Sequence, residues 1–178
     1  MKKIFAALLL GALLLALTAC DNKTAGTDAP DGKDQTAVTE APAADQDKEE
    51  PSAGAIPVAD LVKAAAADAG NLAPFSAEDL ADMAGIDAAD CADFVFLQGN
   101  GMDGREILVI RAANREAADR LAAQMESYLE RRKEEMENYA PKAFQLYSAA
   151  KVERKNLLLA LFSGENAEAE ASQILAGE

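Results

Sequence analysis

The sequence predicts an α+β domain in which antiparallel strand pairs pack on one long helix, a ββαββ-like core placed after an N-terminal signal and an acidic tether. Three observations carry this. Two short runs rich in β-branched and aromatic residues, 94–97 and 107–110, flank a glycine-rich turn and read as a hairpin. From residue 115 to about 139, apolar residues recur at spacings of three, four and seven, the period of a helix with one buried stripe. A second strand pair follows, opening at Val152 and running through an apolar stretch at 157–162.

The chain begins Met1-Lys2-Lys3, then runs without interruption through apolar residues 4–16, and ends this first segment at Leu17-Thr18-Ala19-Cys20. A basic start, a short apolar run and small residues leading into a cleavage point form an export signal, and the run falls short of the roughly 20 apolar residues of a membrane helix. Leu17-Thr18-Ala19-Cys20 is a lipobox, and the whole segment resembles bacterial lipoprotein signals. That resemblance implies a signal peptide at 1–19, a diacylglyceryl group on the Cys20 thiol, palmitate among the acyl chains, and Cys20 as the mature N-terminus. The alternative is an ordinary secretory peptide with a chance cysteine beside its cleavage site.

Residues 20–55 hold one large aliphatic side chain, Val38, and no aromatic. Such a segment cannot bury enough apolar surface to offset its ordering entropy, so a disordered acidic tether is expected there. A single α+β domain is expected over 56–178. Val58, Leu61, Val62 and Ala65 at helical spacing after Pro57 predict a first helix, with Gly70-Asn71 as its stop. Ser76, with Asp79 three residues on, predicts a capping-box start to a short helix that ends at Gly85. Both runs of the central hairpin are apolar on each pleat face, which calls for a cover on both: helices on one or both sides, or a partner.

Asn114 is positioned to cap the long helix. Ala118, Leu121, Ala122, Met125, Leu129, Met136 and Tyr139 form its stripe, and Glu116 with Arg120, Arg131 with Glu135 and Lys133 with Glu137 are placed to pair on the wet face. Pro141 stops it. On this reading the Tyr139 ring packs under the sheet. Ala143, Phe144 and Tyr147 suggest one or two further helical turns, Arg154-Lys155-Asn156 a turn between the last two strands, and 165–175 a final helix.

Charge narrows the partners. Loss of Lys2 and Lys3 with the signal takes the formal net charge from -14 to -16, which repels phosphate backbones and anionic headgroups. No nucleic acid is expected as a partner, and membrane association falls to the lipid on Cys20. Cys91 is then the one remaining thiol, read as a small buried hydrophobe rather than a reactive group.

The chemical motifs are few. Gly99-Asn100-Gly101-Met102-Asp103-Gly104 has the G-x-G-x-x-G spacing, yet it leads into a strand where a dinucleotide loop leads into a helix, so it reads as a hairpin turn. The chain has no histidine, which removes the usual general base and the commonest transition-metal ligand. A carboxylate pair remains conceivable. Glu106, at a strand entrance, is the acid singled out for inspection, with a surface charge facing Arg105 or Arg111 as the favoured reading. No segment fits the EF-hand spacing, so no metal site and no cofactor are assigned. Tyr128, Tyr139, Phe144 and Tyr147 read as core, the alternative being a stacking surface for a glycan or peptide.

Arg105-Glu106-Ile107-Leu108-Val109-Ile110, the long charged helix, Tyr139-Ala140-Pro141, and Val152 running into 157–163 together resemble a known group. These features are similar to the small bacterial lipoproteins carrying the domain-of-unknown-function family forty-three fifty-eight, in which a Glu-Ile strand precedes a long helix with a Tyr-x-Pro ending and then a strand pair. The resemblance spans about residues 90–163. Where that group often has a Gly-Asn-Tyr turn, this chain has Arg154-Lys155-Asn156-Leu157. The resemblance implies the strand-helix-strand order and no activity. The expected function is therefore a non-catalytic binding or accessory module, lipid-anchored on the extracytoplasmic face of the cell membrane and acting on an envelope component or extracellular ligand. A carboxylate-based envelope hydrolase and a structural or surface-interaction protein are the alternatives.

Overall fold

Five antiparallel strands form a single sheet in the order β1-β2-β3-β5-β4 in the computed structural model, which describes residues 54–178. The signal at 1–19, Cys20 and all but the last two residues of the expected tether lie outside the described residues. The strands are β1 (Ala73–Pro74), β2 (Cys91–Gln98), β3 (Glu106–Ala112), β4 (Val152–Lys155) and β5 (Leu158–Ser163). The helices are α1 (Val58–Ala65), α2 (Ala77–Asp79, continued by a wide turn over Leu80–Ala84), α3 (Arg115–Glu137), α4 (Pro141–Ala149) and α5 (Ala167–Ala176). The α+β class and the ββαββ-like core are as expected, with a two-residue edge strand, β1, added.

Strand alternation explains the layers. Along β3, Ile107 and Val109 point to one face and Leu108, Ile110 and Ala112 to the other, because successive side chains alternate across a pleat. Ile107 and Val109 meet Val58, Leu61 and Val62 of α1 and Ala171 and Ile174 of α5. Leu108 and Ile110 meet Leu121, Met125 and Tyr128 of α3 and Tyr147 of α4. β5 alternates likewise, Leu158, Ala160 and Phe162 against Leu159 and Leu161. Helices thus cover both faces, which is why the two central strands carry no polar face.

Local signals behave as their chemistry requires. Ser76 Oγ accepts from the Asp79 amide at 3.2 Å while Asp79 accepts from the Ser76 amide at 2.8 Å, the reciprocal capping box. Gly85 closes that segment at φ 69°, the left-handed conformation that costs glycine little. Asn114 caps α3 by accepting from the Ala117 amide at 2.9 Å. Asn156, at φ 53°, makes the tight turn between β4 and β5.

Several expectations are corrected. α1 ends at Ala65, short of Gly70-Asn71, because Ala66 turns extended and buries its methyl group. Tyr139 is 67% exposed, against the buried ring expected. The helix stops at Glu137, so the stripe extrapolated to 139 has no helix to carry it; the amides of Tyr139 and Ala140 both turn back to the Met136 carbonyl, and Ala140 takes the buried place. The ion pairs on α3 also differ: Arg132 pairs with Glu135, Lys133 with Glu130, and Arg120 reaches off the helix to Asp90. Among the described residues, no helix is long and apolar enough to cross a membrane.

Candidate functional site

Arg105 immediately precedes β3 and Glu106 opens it, so the two side chains go to opposite faces of the same end of the sheet. On the α1/α5 face, the Arg105 guanidinium binds Asp68 through Nε (2.9 Å) and Nη2 (2.7 Å), and Glu170 through Nη1 (2.8 Å) and Nη2 (2.9 Å). Its Nη1 also donates to the Ser163 carbonyl at 3.2 Å. This hub joins the segment after α1, the hairpin and α5, and it holds the Asp68 carboxyl below its ordinary value through the hydrogen bonds it donates. Around it opens a cleft of about 620 Å³, with Asn71, Asn100, Asp103, Lys142 and Glu165 on its walls.

The Gly99–Gly104 loop forms one wall of this cleft and delivers β3, as a hairpin turn must. Its last glycine is required: Gly104 sits at φ 75°, and a Cβ there would lie 2.7 Å from the Ala143 Cα of α4. The motif is thus a close backbone approach and not a phosphate cradle.

On the α3/α4 face, Glu106 is wholly buried, which corrects the expected surface charge facing Arg105 or Arg111. Gln98, Glu106 and Ser163 are register partners across β2, β3 and β5 and form a polar row within an apolar layer. Glu106 Oε2 accepts from Gln98 Nε2 (3.0 Å) and from the Tyr147 hydroxyl (2.9 Å), and lies 3.6 Å from Arg132 Nε. Gln98 Nε2 also donates to the Tyr128 hydroxyl (2.9 Å), and Arg132 Nη2 donates to the Tyr147 hydroxyl (3.0 Å). The two arginines lie over tyrosine rings, Arg131 at 5.4 Å from the Tyr128 centroid and Arg132 at 5.0 Å from that of Tyr147. Glu106 Oε1 and Ser163 Oγ are buried with no hydrogen-bond partner.

Burial sets the proton affinities here. Desolvation pushes the Glu106 carboxyl up, against the pull of Tyr128, Arg132, Tyr147 and Gln98. Desolvation and the facing carboxylate push both tyrosine hydroxyls up, so they remain donors. Arg132 is held charged: burial opposes its charge, and Tyr147, Tyr128 and Glu106 outweigh it.

Of the residues singled out in the sequence, Tyr128 and Tyr147 are core, as read, but their hydroxyls converge on Glu106 and its partner Gln98. Phe144 is partly buried and Tyr139 stands apart on the surface. Cys91 is half-buried, its thiol pushed up to about 12 by desolvation and then by Asp90 and Asp87, so it is held as the unreactive thiol. Arg111 binds the Ile56 carbonyl (2.8 Å) and Glu178 (2.9 Å) at the far end of β3. Arg132 was not anticipated. Its signal was available, since it lies seven residues after Met125 and four after Tyr128, a charge placed on the buried stripe. Among the described residues, no group of three or more cysteine, aspartate or glutamate side chains is placed to hold a metal ion.

No curated protein and no solved structure matches the chain. Residues 65–163, more than half of the 178, match the family described as a domain of unknown function (DUF4358), and the match begins some 25 residues before the stretch that carried the resemblance, at the end of α1. It takes in Asp68, Arg105, Glu106 and Arg132 but stops before α5 and Glu170, and it attaches no activity to them. The chain belongs to the DUF4358 family.

Proposed function

We propose that the chain is a lipid-anchored, extracytoplasmic, non-catalytic binding module, held to the membrane through Cys20 and presenting the hairpin end of its sheet to a ligand. The observation that carries the non-catalytic reading is the state of the acids. Hydrolysis by a carboxylate pair needs a reachable acid with raised proton affinity. In the open cleft, Asp68 and Glu170 are both taken up by Arg105, and Asp68 is pushed the wrong way. The carboxyl that is pushed up, Glu106, is sealed from solvent.

The placement supports binding. Val58 is fastened to Asp93 at 2.7 Å and Ile56 to Arg111, so the chain joins the domain at the Arg111 end of β3. The Arg105 cleft lies six residues away along that strand, roughly 20 Å at strand spacing. A tether leading to the bilayer from Ile56 would therefore leave the cleft end free to meet a ligand. Two or more acyl chains on Cys20 suffice for stable anchoring.

Membrane fractionation and intact-mass measurement of the wild type and Cys20→Ser test the anchor. The expected result is lipid mass on the wild-type cysteine and loss of the substituted chain from the membrane fraction. A Cys20→Ser chain that still sediments with membrane would refute it.

A further inference from the structure

We propose that the depression between α3 and the 80–85 turn is a second binding site, one that takes the carboxylate of a small ligand on the Arg132 guanidinium. The inference goes beyond the binding reading above, since the depression shares no lining residue with the Arg105 cleft. The depression holds about 390 Å³, within the usual range for small-molecule sites, and Asp82, Met83, Tyr128, Arg131, Arg132 and Glu135 line it.

Arg132 is built as a ligand-holding arginine. Its rear is held at two points, Nη2 on the Tyr147 hydroxyl and the guanidinium plane over the Tyr147 ring, while Nε lies 3.6 Å from Glu106 Oε2, buried and without a hydrogen bond. Its front, Nη1, meets only the Glu135 carboxylate at 2.7 Å, three residues along the same helix. Glu135 has a side chain 46% exposed, so this is a local surface pair of little strength that an incoming carboxylate can replace. Arg131 stands beside it, held on the Met83 carbonyl and over Tyr128, and brings a second guanidinium to the same depression.

The cluster below Arg132 is costly. Glu106 is buried beside one cation at 3.6 Å, with Oε1 unpartnered, in a layer where apolar side chains would pack without penalty. A fixed arginine presented to a surface depression accounts for that expense, since a planar guanidinium locked in place loses little freedom on gripping a carboxylate. Asp82 on the lining disfavours dianions, which narrows the ligand to a monocarboxylate: a free amino acid, or the C-terminus of a short peptide.

The test titrates glycine, dialanine and dialanine amide into the full-length chain in detergent micelles, read by calorimetry and by the arginine Nε–H resonances. Dialanine should bind and its amide should not. Glu135→Gln, which removes the competing carboxylate, should tighten dialanine by up to about fivefold. Arg132→Lys should weaken it by at least about tenfold. Equal binding of glycine assigns the site to free amino acids, and binding of dialanine alone assigns it to peptide termini; either supports the proposal. If Arg132→Lys fails to fold, Glu135→Gln decides alone. No binding of either acid, equal binding of the amide, or an unchanged affinity in Glu135→Gln would overturn it. A ligand found at the Arg105 cleft with no response to these carboxylates would overturn this inference and leave the binding reading standing. Absence of lipid on Cys20 would overturn the anchor alone and leave this inference untouched.

Discussion

Glu106→Gln separates the energetics of the buried carboxyl from the rest of the fold. The substitution keeps the shape of the side chain and removes its titration. In the folded state burial raises the Glu106 carboxyl above its ordinary 4.5, so between pH 4.5 and the folded-state value the unfolded chain has released a proton that the folded chain retains. The unfolded state then binds fewer protons, and stability falls as pH rises. The slope is about 1.4 kcal/mol per pH unit, the full effect of one proton. Below pH 4.5 both states are protonated and this contribution to stability is wholly present; it is lost as pH climbs through the folded-state value. Asp68, on the opposite face of the sheet, keeps its surroundings in both proteins and cancels in the difference. The assay is urea unfolding of wild type and Glu106→Gln from pH 4 to pH 8. The wild type should lose stability relative to the variant across the window above 4.5. A difference that is flat, or that moves in favour of the wild type as pH rises, would mean that Arg132 and the hydroxyls outweigh desolvation and hold the carboxyl at or below its ordinary value.

Three further outcomes are expected. Tyr139→Ala should change stability by no more than about 0.5 kcal/mol, because the ring is exposed, and a larger loss in thermal unfolding would show it packed. Arg105→Ala should cost about 2–4 kcal/mol by chemical denaturation, the lower part of the range for breaking a buried pair since Asp68 is half open to solvent while Glu170 is left buried and unpaired; a loss under 1 kcal/mol would deny the hub its role. Cys91 should react with a maleimide at pH 8 far more slowly in the folded chain than in urea, as about one thiol in ten thousand is ionised at a value of about 12, and equal rates would contradict its burial.

What the buried row contributes is position more than stability. A carboxyl with one oxygen unpartnered, a serine hydroxyl without a partner, and the Tyr147 and Tyr128 hydroxyls drawn to Glu106 and Gln98 cost desolvation that apolar packing would not. The return is geometric: Gln98, Tyr147 and Glu106 hold Arg132 in one place at the edge of the sheet's α3 face. The Arg105 hub does the same on the other face through charges that reach water.

Local chemistry alone determined a good deal of this protein. Periodicity in 115–137, the capping residues Ser76 and Asn114, Gly85, and the glycine-rich turn before β3 specify their elements because each acts within a few residues of chain. The apolar character of both pleat faces in the hairpin runs of β2 and β3 also calls for a cover on each side of the sheet, which the helices supply. Tertiary structure decided the rest. Whether Glu106 faces Arg105, Arg111 or neither depends on which helix lies over that face and on a register that sets Gln98, Glu106 and Ser163 side by side, contacts between residues up to 57 apart. Tyr139 failed as a core residue because a helix end moved by two positions rotates every later side chain out of phase, and where a helix ends is settled by what the following residues can bury. Arg132 is legible in the sequence only as a charge on an apolar stripe, and it becomes a site when Tyr147 and Glu106 arrive behind it from other elements.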